Sequence, residues 1–128
     1  MSLLLEHQYF FVSKKLGTVI GADQALLLQQ LHYRLENQGV MKEGQKWYRQ
    51  TYKNWSKQLG MWSAPKVKSL LIKLEKNKIV ISTDKFNRFY VDRSKWYRID
   101  YERVNQMLHT QFPEKNEYVR INKDTAFN

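Results

Sequence analysis

The stretch Thr51-Tyr-Lys-Asn-Trp-Ser-Lys-Gln-Leu-Gly-Met-Trp-Ser-Ala-Pro-Lys-Val-Lys-Ser-Leu-Leu-Ile-Lys-Leu-Glu-Lys-Asn-Lys78 decides the fold. Its first part sets Tyr52, Trp55 and Leu59 at i, i+3 and i+7, one face of a helix, with Thr51 placed to cap it. Gly60-Met61-Trp62 interrupts. Ser63 then offers a second cap, and Pro65 falls in a first turn, where a missing N–H costs nothing. Val67, Leu70, Leu71 and Leu74 make the apolar stripe of this second helix, and Asn77 with Lys78 ends it. Two helices joined by a short glycine-containing turn are the signature of a helix-turn-helix.

Working outward, Ile79-Val-Ile81 reads as a buried strand and Ser94 to Ile99 as a strand returning beside it. Between them Thr83 to Asp92 is polar and basic with embedded aromatics, so the segment reads as a hairpin, or wing. Upstream, Lys46-Trp-Tyr-Arg49 suits a short strand, and Gln38 to Gln45, with two glycines, reads as a polar connection. Ala22 to about Asn37 carries Ala25, Leu28, Leu31, His32 and Leu35 at helical spacing, widened by Leu26 and Leu27. That breadth predicts the central core helix, stopped at Gly39, with His32 as a satisfied core histidine. Ser13 caps a brief helix through Ile20, and Tyr9 to Val12 is either a short strand or the lead into it. Asp100 caps a last helix bearing Val104, Met107 and Leu108. The expected fold is mainly α with a small β-hairpin wing, of α+β class: a winged helix-turn-helix over residues 1–110. Residues 111–128 read as a polar tail or truncated linker.

The chain has 128 residues, 42% of them hydrophobic, enough for one core. It has no cysteine, which excludes disulfides and thiolate metal sites. The apolar start at Leu3, Leu4 and Leu5 ends at Glu6 and His7, far short of the roughly 20 residues of a membrane span. A soluble, cytoplasmic protein without a membrane partner is expected. The net charge is +10, from 22 basic and 12 acidic residues. From Lys46 to Arg98 there are 14 basic residues against Glu75, Asp84 and Asp92, a net +11, which leaves −1 for the rest. A field confined to one segment points to a polyanionic partner, whose counterions are released on binding.

A helix enters the major groove when its outward face is polar and its inward face is fixed by packing. Turning about 100° per residue from Val67, the leucines cluster within roughly 60° of it. The opposite side carries Pro65, Ser69, Ile72, Lys73 and Lys76, flanked by Lys66 and Lys68. Ser63, Lys66, Ser69 and Lys73 are expected to reach base edges, and later lysines such as Lys76 to meet phosphate. With five lysines from Lys66 to Lys78 and no arginine, affinity should be dominated by phosphate with modest base readout. The wing adds Lys85, Asn87, Arg88 and Arg93, with Arg88 a natural minor-groove probe at the tip. Trp47, Trp55, Trp62 and Trp96 read as core or turn-packing residues, with Trp62, in the turn just before the second helix, kept open as a base-stacking platform. Phe86, Phe89 and Tyr90 are the aromatics that a single-strand binder would use. No enzymatic chemistry is expected: the histidines His7, His32 and His109 lack metal-ligand spacing, and no phosphate loop or nucleophile elbow occurs. No cofactor is expected either.

The strings Ala25-Leu-Leu-Leu-Gln-Gln-Leu-His-Tyr33, Trp47-Tyr-Arg-Gln-Thr-Tyr-Lys-Asn-Trp55, Trp62-Ser63, Lys68 to Lys76 and Asp92-Arg-Ser-Lys-Trp-Tyr97 together resemble a known domain. It is the N-terminal domain of phage and mobile-element replication proteins of Gram-positive bacteria, similar to DnaD-type replisome organisers. The resemblance covers residues 9 to 104. It implies a winged-helix module that binds double-stranded DNA or self-associates in replication initiation of a phage or plasmid, with replication proteins as further partners. Two alternatives stay open. One is a protein-interaction or homodimerisation module using Ile72 and the wing aromatics; the other is a transcriptional regulator using the same face.

Overall fold

A computed structural model describes residues 9–113. The chain enters along Tyr9 to Val12, which forms neither strand nor helix but is tied down by one buried side chain. The Gln29 amide donates to the Phe11 carbonyl (2.6 Å), and its oxygen accepts from the Ser13 N–H (2.7 Å). Ser13 Oγ in turn accepts from the Leu16 N–H and caps α1 (Lys14–Ile20). Gly21, at φ 90°, turns the chain into α2 (Ala22–Gln38), whose wide apolar face is buried from Ala25 to Leu35. His32 is buried on that face, and its Nδ1 lies 2.7 Å from the Tyr101 hydroxyl.

The sequence reading of Gln38 to Gln45 as a mere connection is overturned by a hairpin of β1 (Val40–Lys42) and β2 (Gln45–Gln50). Its two-residue turn puts both Glu43 (φ 52°) and Gly44 (φ 77°) in the left-handed region. Such turns usually announce themselves as Asn-Gly or Asp-Gly, and a glutamate at the first position hides the signal. The strand is also short and exposed, so it lacks an alternating pattern.

Next come α3 (Tyr52–Leu59), capped by Thr51 Oγ1 on the Asn54 N–H, and α4 (Ala64–Lys76), capped by Ser63. Between them Gly60 adopts φ 80°, the left-handed stop that lets the chain reverse within four residues. Val67, Leu70, Leu71 and Leu74 of α4 are buried together with Trp55 and Leu59 of α3. Each such side chain contributes roughly 1.5–3 kcal/mol over leaving it exposed, so this stripe fixes how α4 is rotated. Beyond Asn77 the Lys78 N–H donates to the Glu75 carbonyl and the Ile79 N–H to the Leu74 carbonyl, a Schellman closure. Lys78 itself takes the left-handed position (φ 66°) that glycine usually fills.

β3 (Val80–Thr83) and β4 (Lys95–Ile99) complete an antiparallel sheet in the order β1-β2-β4-β3. Tyr48 pairs with Tyr97 and Val80 with Ile99, and all four face the helices as core residues. Strand alternation sends Trp47, Arg49, Trp96 and Arg98 to the outer face. Asp100 Oδ1 accepts from the Arg103 N–H and starts α5 (Tyr101–Gln111), which packs on α1. Phe112 also packs against the core, two residues past the boundary expected at residue 110. The rest of the expected tail, 114–128, lies outside the described residues, as does Leu3 to Leu5. Among the described residues the chain is therefore α+β, with five helices and a four-stranded antiparallel sheet. No helix among them is long and apolar enough to cross a membrane.

Candidate functional site

The exposed side of α4 is built from what the core leaves over. Because Val67, Leu70, Leu71 and Leu74 point inward, Lys66, Lys68, Ser69, Lys73 and Lys76 are all exposed. Ile72, expected to stand outward with them, is half-buried. Ser63 is exposed, but its Oγ already accepts from the Lys66 N–H (3.3 Å), so its first duty is to the helix. Lys66 Nζ lies 3.2 Å from Asp23 Oδ2 at the start of α2, and Lys68 Nζ sits 6.0 Å from the Tyr52 ring centroid. Lys73 and Lys76 pair with no carboxylate among the described residues. The four tryptophans expected to pack do so: Trp47, Trp55 and Trp96 are buried, and Trp62 is half-buried against the core.

The second group sits in the 84–94 loop between β3 and β4. Two consecutive turns shape it, with the Asn87 N–H on the Asp84 carbonyl and the Asp92 N–H on the Phe89 carbonyl (both 3.0 Å). Asn87 is half-buried and committed: its amide donates to the Ser94 carbonyl (2.7 Å), and its oxygen accepts from the Trp96 indole (2.8 Å). That makes it a brace across the base of the loop. Lys85 Nζ is 2.6 Å from Glu43 Oε1 on the β1–β2 turn. Arg88 and Arg93 are exposed.

Asp92 is the residue on which this loop closes, and sequence reasoning missed its role. Its Oδ1 accepts from the Ser94 N–H (2.8 Å), and its Oδ2 takes a 2.7 Å ion pair from Arg49 on β2. The Ser94 N–H, then the Arg49 guanidinium, hold its carboxyl below the ordinary aspartate range. The local half of this arrangement was legible, since an Asp two residues before a backbone donor is the Asx-turn pattern. Arg49 is distant in sequence, and nothing local names it as the partner. Asp23, which holds Lys66, was missed for the same reason.

The structure thus gathers five of the candidate residues on α4 with a sixth, Ser63, at its N-cap, and places three, Lys85, Asn87 and Arg88, in the loop. Among the described residues no group of three His, Cys, Asp or Glu side chains is placed to hold a metal ion. No family model matches the chain, and neither does any curated protein or solved structure.

Proposed function

We propose that this chain is a winged-helix protein that binds duplex DNA, with α4 as the groove helix and the 84–94 loop as the wing. One observation carries the reading. On a helix whose other side is fully committed to the core, Lys66, Lys68, Ser69, Lys73 and Lys76 stand exposed, within a segment of net charge +11. The element order from α2 to β4 supports it: a helix, a two-stranded hairpin, two helices joined by a tight turn, then two antiparallel strands around a basic loop. Duplex affinity would come mainly from phosphate contacts, with Lys66, Ser69 and Lys73 nearest the bases and Lys76, Lys85 and Arg88 on the backbone. Replication initiation of a phage or plasmid, in the cytoplasm and alongside replication proteins, is the process that the sequence resemblance favours. A transcriptional regulator would use the same face.

The test is a duplex-binding titration at two salt concentrations. Affinity should fall by close to one logarithmic unit per phosphate contact for each tenfold rise in salt. Binding that ignores salt would remove the phosphate mechanism. A self-association reading is favoured by one observation, the exposed run Phe89, Tyr90 and Val91 at the loop tip. Light scattering that finds a stable dimer, on a sample with no duplex affinity at low salt, would put that reading first.

A further inference from the structure

The outer face of the sheet carries a second concentration of basic and aromatic side chains that the α4 surface does not use. Phe86 lies edge-on against both Trp47 and Trp96, with ring centroids 5.3 and 5.6 Å away. Cations crowd this triad: Lys42 and Arg49 over Trp96 at 5.6 and 6.0 Å, Arg98 over Trp47 at 5.5 Å. Beside them opens a hollow of about 250 Å³, walled by Phe86, Phe89 and Trp96 and rimmed by Lys42, Arg49 and Arg88. Asp92 is the carboxylate on its wall, and it is already held by Arg49 and the Ser94 N–H. The rim therefore keeps surplus positive charge. Phe89 is 68% exposed.

We infer that this hollow is a subsite for an unpaired nucleotide, so that the sheet face binds single-stranded nucleic acid. Flat apolar walls with cations around the mouth match a base joined to its phosphate. A bare phosphate would need no aromatic wall, and an uncharged ring would need no cations. An acidic peptide would satisfy the rim and leave the Phe86 and Phe89 walls without a flat partner. The volume lies just below the roughly 300–1,000 Å³ of sites for drug-sized ligands, which suits one base and not an extended molecule. Stacking on an aromatic together with basic contacts is how strands are held without sequence preference. The inference goes beyond duplex binding by α4, although Phe86, Asn87, Arg88, Phe89 and Asp92 of the hollow belong to the 84–94 loop that serves as the wing in that reading.

The experiment is fluorescence anisotropy on the full chain at low salt, with a labelled oligothymidylate of about 12 nucleotides. A labelled duplex and polyglutamate are run in parallel. The chain should bind the oligonucleotide, and Phe89→Ala should weaken that binding roughly tenfold. Lys42→Ala should weaken it less and make its salt dependence shallower by about 0.7 in the log–log slope. Lys42→Ala should bind duplex as the parent does, and Phe89→Ala should lose far less affinity for duplex than for the oligonucleotide. Both should melt close to the parent, since Phe89 is exposed and the Lys42 side chain meets the core as a cation over Trp96. The double variant Lys66→Ala, Lys73→Ala should do the reverse, losing duplex and keeping the oligonucleotide. Failure to bind the oligonucleotide overturns the inference, as does equal loss on both nucleic acids or Phe89-dependent binding of polyglutamate alone. If Phe89-dependent oligonucleotide binding appears without any duplex binding, only the duplex proposal falls.

Discussion

Replacing Lys66, Lys73 and Arg88 together by alanine separates phosphate anchoring from folding. All three side chains are exposed, so each replacement should move stability by no more than about 0.5 kcal/mol. If each meets one phosphate, the slope of log affinity against log salt becomes shallower by about 2.7. Extrapolated from a 1 M reference to 0.1 M salt, that is a loss of roughly 500-fold. Lys66 is the discount. It is paired with Asp23 across 3.2 Å, with both side chains about half exposed, and such a pair is worth about 0–1 kcal/mol. Should Lys66 stay with Asp23 in the complex, the slope changes by about 1.8 and the loss is nearer 60-fold. Asp23→Ala decides between the cases, because freeing Lys66 should tighten binding by up to about eightfold at 0.1 M salt. The assay is duplex anisotropy over a range of salt, with a thermal melt on the same samples. A large loss of affinity at unchanged slope would refute phosphate anchoring, and no loss at all would refute the surface.

Three further perturbations test the fold that presents this surface. Lys78→Gly should stabilise the chain by about 1 kcal/mol, since it relieves a left-handed residue at the Schellman end of α4; a denaturant titration should show a higher midpoint at constant slope. Gly39→Ala should destabilise by about 1–3 kcal/mol in the same titration. A Cβ there would strike the Leu35 carbonyl and the Lys46 side chain, although the φ of −69° would itself suit alanine. The 84–94 loop should hold its structure from neutral pH down to about pH 4 and loosen below that. The Asp92 pKa is depressed by folding, so its contribution is present above the unfolded value of about 3.9 and lost as pH falls through the folded one. Amide exchange at Ser94 reads this, and Asp92→Asn should abolish the acid step.

The helices were legible because each carries its own punctuation. Ser13, Thr51, Ser63 and Asp100 all cap as residue type and spacing suggest, and the α4 stripe follows from period alone. The missed strand β1 shows where local reading stops, since its existence depends on pairing with β2 and on a turn whose glutamate is conformationally atypical. The same boundary runs through the candidate site. Which α4 lysines are exposed could be read from a helical wheel, with Ile72 the exception. That Asn87 braces the loop, and does not reach outward, could not, because its partners Ser94 and Trp96 become neighbours only when β4 returns beside β3. Likewise Lys66–Asp23 and Arg49–Asp92 join elements far apart in sequence, and no periodicity encodes them.

The Asn87 and Asp92 hydrogen bonds also bear on the thermodynamics of binding. A basic loop that becomes ordered only against its ligand loses backbone freedom at that moment, about 1–2 kcal/mol per residue fixed. Here the turns at Asp84 and Phe89, the Asn87 brace and the Arg49–Asp92 pair impose that order during folding. Calorimetry of complex formation should accordingly show a heat-capacity change close to that of rigid surfaces meeting. Asn87→Ala should add the signature of coupled ordering and lower affinity without removing a single charge.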